Sequence, residues 1–397
     1  MESQRNGTIL DTFERAHGAE LQALRSELHR NPELGLHESY TTALLRGRLA
    51  GLGLEPVELG LETGAAFLLR GGHAGKTAAL RADIDALPVQ EATGAADASR
   101  IPGVMHACGH DVHTAALYGA AVYLSERREE LAGNVVFLFQ PAEEPVAGAR
   151  AVIAAGLFDR IPIDAVFGLH VWPQLPSGTV GIRPGPFYAA KDSFQLIIQG
   201  RGGHGSAPEN ARDPIPAGAA AVSGIQSILG RNLSAREAAV VSVCALNAGS
   251  SDNVIPDTCS LLGSIRTFSD DARRLILRRL EEIGRGTAEA YGCTAEFVLL
   301  PGVPVLTNDP ALCRTARKAA EALFGPNGCV ESDPVTVSED FALYGEKAPL
   351  CYCLFGVGGT EAAKNPLHSA KFYPAGDTIA PAALLLAGMA REFLNGI

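Results

Sequence analysis

The segment DSFQLIIQG (residues 192–200) is predicted to be a β-strand, and it opens the part of the chain that decides the fold. The elements predicted after it are a helix, two strands, a helix and a strand, at 213–230, 238–249, 257–268, 270–292 and 293–300. This β-α-β-β-α-β order is the split βαβ arrangement of ferredoxin-like modules. Because such a module closes on itself, it can be inserted into another domain. We therefore predict an inserted, lid-like α+β domain at 187–300.

The chain on either side of this module has the pattern of an α/β domain. Predicted strands, mostly continuous apolar runs, lie at 77–88, 134–140, 165–171 and 350–358. They alternate with helical patterns, as at 113–131 and 309–325. Strands that are apolar on both faces and alternate with helices indicate a mostly parallel sheet flanked by helices. We predict one discontinuous catalytic domain made of 1–186 and 301–397.

The composition narrows the class of protein. The chain has 397 residues, of which 47% are apolar and 19% charged, so we expect two globular domains. It shows neither a membrane-helix run nor a secretory signal, and we expect a soluble, cytoplasmic protein. A net charge of −11 without a basic cluster argues against nucleic-acid and anionic-membrane partners. The eight scattered cysteines are typical of reduced thiols.

Residues of metal-binding type lie next to the predicted strands and helices. They are Asp83 and Asp85 after the apolar start of 77–88, Glu143 and Glu144 after 134–140, His170 in 165–171, Cys108 and His110 before 113–131, and His368 after 350–358. In open α/β sheets, ligands bind beyond the carboxyl ends of the strands. We therefore expect these side chains to converge on one edge of the sheet.

The residue types indicate what such a cluster would bind. A thiolate, unprotonated imidazoles and carboxylates bind zinc, manganese or cobalt, and one ion with an open position needs about three protein ligands. The candidate ligands are Cys108, His110, Glu144, His170 and His368. This number suits two closely spaced ions with a bridging group, as in amide-cleaving metalloenzymes. Glu143 is then available as a general base that accepts a proton from water.

The segment MHACGHDVHT (105–114) also allows simpler interpretations. Asp111 could cap the helix that follows it. We assign His106 and His113 to support of the site rather than to ligation. Only the candidate ligands taken together favour a metal site over these simpler interpretations.

Two other interpretations of the cluster remain open. Cys108 could be an activated nucleophile, because it precedes a helix and has histidines on both sides. That alternative ranks second, since it leaves Glu143, Glu144, His170 and His368 without a role. The residues could also form a closed structural zinc site in a non-catalytic binding or scaffolding protein, although the spare Glu143 argues against closure.

Motifs along nearly the whole chain resemble those of the aminoacylase and carboxypeptidase-like metallohydrolases. They are LHRNPELGLHE (28–38), LRADIDALP (80–88), MHACGHDVHT (105–114), FQPAEE (139–144), GLHVWP (168–173), GRGGHGSAPE (200–209), NVIPD (253–257) and LHSAKF (367–372). The resemblance is to the amidohydrolase branch, with hippurate hydrolases, auxin-conjugate hydrolases and N-acetyl-amino-acid deacetylases. It implies a di-metal catalytic domain and a smaller lid domain that mediates dimerisation.

The resemblance also implies roles for individual residues. The ligands would be Cys108, His110, Glu144, His170 and His368, with Glu143 as the general base. In the lid, His204 would stabilise the oxyanion, and Asn253 and Arg266 would contact the substrate. Asp83 would orient a ligand. A strand arginine such as Arg266 could equally lie on a solvated face.

The sequence therefore predicts a cytoplasmic, homodimeric amidohydrolase of N-acyl-L-amino acids. Its cofactors would be two divalent ions per subunit, of manganese, zinc, cobalt or nickel. A dipeptidase or carboxypeptidase on the same site is the main alternative. Sequence motifs locate the reaction but leave the acyl group and the amino acid open.

Overall fold

The computed structural model describes residues 2–360 and 364–396, with side chains from residue 9 onward. The chain forms two compact units. The first runs up to Gly185 and continues at Thr307–Asp333 and from Leu343 onward. The second consists of Pro186–Leu306 and Pro334–Ala342. The inserted unit thus extends past the 187–300 expected from the sequence and includes a second, later segment.

Helices occur in both units. They are α1 (Glu2–Arg30), α2 (Ser39–Ala50), α3 (His110–Ser125), α4 (Gly148–Ala154), α5 (Leu157–Arg160), α6 (Pro214–Arg231), α7 (Asp270–Ala290), α8 (Pro310–Phe324) and α9 (Ile379–Asn395). Short 3₁₀ helices cover Arg128–Glu130, Pro208–Asn210, Asp340–Glu346 and Gly376–Thr378. Side-chain caps explain where some helices start. Asp309 accepts hydrogen bonds from two backbone N–H groups of α8, and Ser269 accepts one from the N–H of Ala272 in α7. None of the described helices has the length and apolar character that a membrane span requires.

The strands form one large and one smaller sheet, together with short pairs. They are β1 (Glu55–Pro56), β2 (Ala65–Arg70), β3 (His73–Asp83), β4 (Ala132–Gln140), β5 (Ala165–Pro176), β6 (Val180–Ile182), β7 (Gly185–Tyr188), β8 (Ala190–Gln199), β9 (Gly203–His204), β10 (Ala239–Ala248), β11 (Val254–Ile255), β12 (Thr258–Thr267), β13 (Thr294–Val303), β14 (Leu306–Asn308), β15 (Cys329–Glu331) and β16 (Leu350–Gly358).

The first unit contains a sheet with the order β1-β2-β4-β3-β5-β16-β6-β15. Its central strands β4, β3, β5 and β16 are parallel to their neighbours within this group. Every residue of β16 is buried, as the continuous apolar sequence of a covered parallel strand requires. Helices α3, α8 and α9 pack against the sheet, and α1 packs against α3. The prediction of a mostly parallel sheet flanked by helices is confirmed.

The register of this sheet brings its polar ends together. Asp83, the last residue of β3, pairs with Gln140, the last residue of β4. The segments that follow these strands carry Asp85 and the pair Glu143–Glu144. They therefore start from neighbouring points at the carboxyl edge of the sheet.

The second unit contains an antiparallel sheet with the order β10-β12-β8-β13. Along β8 buried residues alternate with partly exposed ones, because one face packs against helices. Phe194, Leu196 and Ile198 lie in cores shared with residues of α6 or α7. The observed order β8-α6-β10-β12-α7-β13 is the β-α-β-β-α-β order that the sequence indicates.

Some element bounds differ from the sequence expectation. The helix expected at 113–131 begins at His110 and ends at Ser125, because its charged end turns into a separate 3₁₀ helix before β4. Strand β5 continues past His170 to Pro176. Its pairing with β3 ends at Gly168, whereas its pairing with β16 continues. His170 therefore lies in the part of β5 that no longer pairs with β3, and this edge of β5 is open toward the site.

Candidate metal centre

The candidate ligands in the first unit come together where β3 and β4 end and α3 begins. Among the described residues, candidate ligand atoms lie within 4.8 Å of one another in five sets, and three of these consist of the predicted ligands and base: Cys108–His110–His170, Cys108–Glu144–His368 and His110–Glu143–Glu144. Cys108 belongs to two of these sets, and the third set connects them through His110 and Glu144. The structure thus gathers into one cluster all six residues that the sequence singled out in this unit as ligands or base.

Cys108 lies at the centre of this cluster and is buried. Its Sγ is 3.4 Å from Nε2 of His170 and 3.3 Å from Nε2 of His368. Burial, followed by the carboxylate of Glu144, raises the pKa of the Cys108 thiol well above its ordinary value. A cysteine nucleophile requires the opposite shift, whereas a cation bound here would stabilise the thiolate. These surroundings argue against the nucleophile alternative.

His110 begins α3 and follows a glycine that no other residue can replace without strain. Gly109 has φ 86°, and a Cβ on it would lie 2.5 Å from Cγ2 of Val171. The ring of His110 is held by Nδ1, which donates to the backbone oxygen of Asp85 at 2.9 Å. Its Nε2 is buried and has no hydrogen-bond partner in the described part of the chain. This nitrogen is therefore left for an ion.

His170 is fixed in the tautomer that a ligand requires. Its Nδ1 donates to the Val171 oxygen at 2.8 Å, which leaves Nε2 facing Cys108. Burial, and then the neighbouring His113, lower the pKa of His170 well below its ordinary value. The ring is thus neutral, which is the form that binds metal ions.

His113 supports the site rather than binding in it. Its Nε2 accepts the N–H of Val171 at 2.9 Å, and its Nδ1 lies 2.6 Å from Oδ1 of Asp83. Both ring nitrogens are therefore occupied. Asp83 also accepts a hydrogen bond from Arg81 at 2.7 Å and lies 3.6 Å from Nε2 of His110. It is thus placed to orient the rings around it.

The Glu143–Glu144 pair enters the cluster from the end of β4. The N–H of Glu144 donates to Oδ2 of Asp85 at 3.0 Å. Glu144 Oε1 is buried and makes no hydrogen bond with the described residues, although His368 Nε2 lies 3.4 Å away. Glu143 is buried beside it. Asp85 also lies 3.3 Å from the ring of His110, so it connects the ligand segments.

The sequence pattern placed Asp85 at the edge of the sheet but indicated no role for it. The two-residue spacing of Asp83 and Asp85 at the end of β3 was the available signal.

His368 reaches the cluster through a loop whose backbone is in the left-handed region. Its φ is 66°, and its N–H donates to the Ala107 oxygen at 2.8 Å. Non-glycine residues with positive φ are strained and concentrate at functional sites. This hydrogen bond ties the His368 loop to the segment that carries Cys108.

The interpretation of Asp111 as a helix cap is wrong. Gly109 occupies the cap position, and no side chain caps the helix there. The carboxylate of Asp111 is instead buried against α1, where Oδ2 accepts hydrogen bonds from Arg25 and His29, each at 2.7 Å. Burial lowers the pKa of nearby His106 to about 4, and its ring has no hydrogen-bond partner among the described residues.

The remaining predicted residues lie in the second unit. His204 pairs with Val254 between β9 and β11, next to Asn253, whose oxygen accepts the N–H of Gly205 at 2.8 Å. Arg266 lies on β12 and pairs in register with Lys191 of β8. Its Nη1 is buried without a hydrogen-bond partner among the described residues. His204 and Asn253 are thus close together, and Arg266 is on the sheet.

The donor set fits divalent cations. Two buried donor atoms, His110 Nε2 and Glu144 Oε1, have no hydrogen-bond partner among the described residues. The carboxylate of Glu143 is buried and that of the adjacent Glu144 is partly buried, which is costly without positive charge nearby. One thiol, three imidazoles and a carboxylate are ligands that borderline ions accept.

Comparison with known proteins gives a consistent result. The chain matches the model of Peptidase family M20/M25/M40 over residues 79–392. N-acetylcysteine deacetylase of Bacillus subtilis is 42% identical over 354 residues, which cover 89% of this chain and 92% of that protein. Thermostable carboxypeptidase 2 of Saccharolobus solfataricus is 36% identical over 377 residues, or 94% and 95% of the two chains.

The solved structures include a dinuclear metal-binding peptidase of the M20 family from Bacillus subtilis. It superposes with a TM-score of 0.86 at 38% identity and covers 97% of this chain and 100% of its own. The family model spans most of the sequence, and the donor cluster lies within the matched segment. The chain therefore belongs to Peptidase family M20/M25/M40.

Proposed function

We propose that this protein is a metal-dependent amidohydrolase that cleaves N-acyl-L-amino acids to a carboxylic acid and a free amino acid. The observation that carries the proposal is Cys108, whose buried thiol belongs to two sets of donor atoms, one of them fully buried, next to Glu143. The names of the two relatives support the substrate class. In N-acetylcysteine and at the end of a carboxypeptidase substrate, an amide bond joins an acyl group to an amino acid that has a free carboxylate.

We propose that these donors would hold two divalent ions, with Cys108 available to both sets. His110 and His170 would complete one site, and Glu144 and His368 the other. When bound, such cations polarise a carbonyl group and lower the pKa of a nearby water. Manganese, zinc, cobalt and nickel all accept these ligands, since thiolate favours softer ions and carboxylate harder ones.

Glu143 acts as the base and then as the acid of the reaction. Its carboxylate takes one proton from water as the water oxygen bonds to the amide carbon. The proton stays on Glu143 until the carbon–nitrogen bond breaks, and it then goes to the leaving nitrogen. One water is consumed, and one acid and one amine are released. The burial of Glu143 keeps bulk water away from the carboxyl group while it holds the proton.

His204 is suited to hold the oxygen that becomes negative during the attack. Its Nδ1 accepts the backbone N–H of Ser206 at 3.1 Å. In a neutral ring the proton is therefore on Nε2, which is a hydrogen-bond donor. The side chain is exposed and belongs to the unit that we propose as the lid and dimerisation domain. We assign His204 to stabilisation of the oxyanion. In a homodimer, His204 would reach the active site of the partner subunit. We assign catalysis to the first unit.

Replacing His204 by Ala should lower kcat by about 100-fold with little change in KM, the usual cost of one oxyanion donor. The measurement is steady-state hydrolysis of an N-acetyl amino acid. His73→Ala removes an equally exposed histidine at the amino end of β3 and should have no effect. An unchanged kcat in His204→Ala would remove His204 from the mechanism.

Two residues of the second unit are proposed to bind the substrate. The buried Nη1 of Arg266 has no hydrogen-bond partner among the described residues. Arg266 lies across from Lys191, so two cations face the same side of the sheet. We assign Arg266 to the substrate carboxylate. Asn253 is exposed beside His204, and we assign it to the carboxylate or the amide carbonyl.

A substrate panel tests the proposed function. Wild-type protein with added Mn²⁺ or Zn²⁺ is offered N-acetyl, N-benzoyl and N-indoleacetyl amino acids, the same compounds with a carboxamide in place of the carboxylate, and dipeptides. We expect free amino acid from the carboxylates and a kcat/KM at least about 100-fold lower for the carboxamides. Turnover that requires a free amine on the acyl half would favour a dipeptidase. Silence across the panel would overturn the proposal.

A further inference from the structure

The motif LHRNPELGLHE (28–38) has no role in the proposed mechanism, although its residues Leu28, His29, Pro32 and Glu38 are buried. It covers the end of α1 and the loop that leads to α2. The loop has its own anchor, because the carboxylate of Glu33 accepts the N–H groups of Tyr40 and Thr41 at the start of α2. A loop fixed in this way can hold another segment in place.

This loop contacts both segments that carry the acidic residues of the site. On one side, Leu34 forms a parallel bridge with Ala86, and the Ala86 N–H donates to the Glu33 oxygen at 2.8 Å. On the other side, Gly35 packs against the segment after β4. A Cβ on Gly35 would lie 2.9 Å from Cγ of Pro145 and 3.1 Å from Cα of Ala142. The close approach therefore requires a glycine.

The direct link to the site is Glu38. It is fully buried, and its Oε1 accepts the N–H of Ala142 at 2.7 Å. Ala142 immediately precedes Glu143, and its φ of 52° is in the left-handed region that alanine rarely adopts. The Ala142 oxygen accepts the N–H groups of Ala147 and Gly148 at 3.1 and 2.9 Å. Ala142 is thus fixed at both its N–H and its carbonyl.

We infer that Glu38 is a positioning residue that holds Ala142 in its left-handed conformation and so aims the carboxylates of Glu143 and Glu144. The backbone dihedrals of Ala142 set the direction in which the chain enters this pair. Relaxation of Ala142 toward negative φ would rotate both carboxylates away from His110. The role rests on the proposed function for its effect on turnover, but its effect on metal binding is independent of that function.

Three substitutions of Glu38 test this inference. Glu38→Gln keeps an oxygen acceptor at the same reach, so kcat and the Kd for Mn²⁺ should stay within about 3-fold of wild type. Glu38→Asp shortens the side chain by one methylene and withdraws the acceptor. Glu38→Ala removes it. Both should lower kcat by about 100-fold, the scale expected for a reacting group misplaced by about 1 Å. Both should also raise the Kd for Mn²⁺, measured by competition with a fluorescent chelator, by at least about 10-fold.

The matched control is Asn308→Ala. Asn308 is also fully buried, and its Oδ1 accepts a backbone N–H, from Tyr352 of β16, at 2.8 Å. It should reduce thermal stability while leaving kcat and the Kd for Mn²⁺ close to wild type. If kcat and Mn²⁺ affinity fall equally in Asn308→Ala and Glu38→Ala, Glu38 contributes only to general stability. The same conclusion follows if kcat and Mn²⁺ affinity fall as far in Glu38→Gln as in Glu38→Asp.

The outcomes separate this inference from the proposed function. If wild type is active, and Glu38→Asp and Glu38→Ala have normal kcat and Mn²⁺ affinity, the positioning role of Glu38 is refuted while the proposed function stands. Weaker Mn²⁺ binding in these variants, with wild type inactive on every N-acyl amino acid, would refute the proposed function and support positioning. If Glu38→Ala does not fold, the contrast between Glu38→Gln and Glu38→Asp decides.

Discussion

Replacing Glu143 by Gln should lower kcat by about 1,000- to 10,000-fold, the upper range for loss of an acid–base group. The amide has nearly the shape of the carboxylate but cannot accept the proton of water. KM should change little, because the substrate does not depend on that proton for binding. Initial rates of amino-acid release at saturating substrate give the result.

The neighbouring carboxylate is the control for this prediction. Glu144→Gln should lose activity together with metal, since Glu144 has a buried oxygen that no described hydrogen-bond donor satisfies. Glu143→Gln should keep the metal content of wild type. If Glu143→Gln retains more than about a tenth of wild-type kcat, Glu143 is not the base.

Replacing Cys108 by Ala should remove most of the bound metal and lower activity by more than about 100-fold. Substitution of a residue that only orients a metal ligand already costs about 10- to 100-fold in metal affinity, so loss of a ligand that belongs to both donor sets should cost more. Metal per chain is measured by elemental analysis after equilibration with a weak chelator. Wild type should hold two ions and the variant fewer.

Another buried cysteine provides the control. Cys353 of β16 is fully buried next to Met389, outside the donor sets, and Cys353→Ala should keep both metal and activity. The nucleophile alternative makes a different prediction for Cys108→Ala, namely loss of activity with unchanged metal content. That result would reverse the ranking of the two interpretations.

Much of the fold could be predicted because its signals are local. The apolar runs of β4, β5 and β16 and the amphipathic helices between them determine the parallel sheet, and the order of elements in the second unit determines its topology. Strands such as β1 and β15 have only two or three residues and leave no periodic signal. Strand β2 is apolar, but it is not among the strands predicted from the sequence. It pairs antiparallel with β4, and a single sequence does not reveal this pairing.

The candidate ligands could be found because the carboxyl ends of parallel strands meet at one edge. Interactions between distant segments could not be found in this way. The sequence allowed Asp111 to be a helix cap, but Arg25 and His29 of α1 bind its carboxylate across 86 and 82 residues of sequence. The contact from Glu38 to Ala142 spans 104 residues. A single sequence shows which residues are polar, but it does not show which pairs the fold brings into contact.

Metal-dependent amide hydrolysis is tested most directly with metal-depleted wild-type protein. This protein is titrated with Mn²⁺, and the release of amino acid from an N-acetyl amino acid is measured. We predict no release without metal, a rise with added ions, and no further rise beyond about two ions per chain, because Cys108 is shared by two sets of donors. Release that is independent of added metal, or no release at any metal content, would contradict a metal-dependent amidohydrolase.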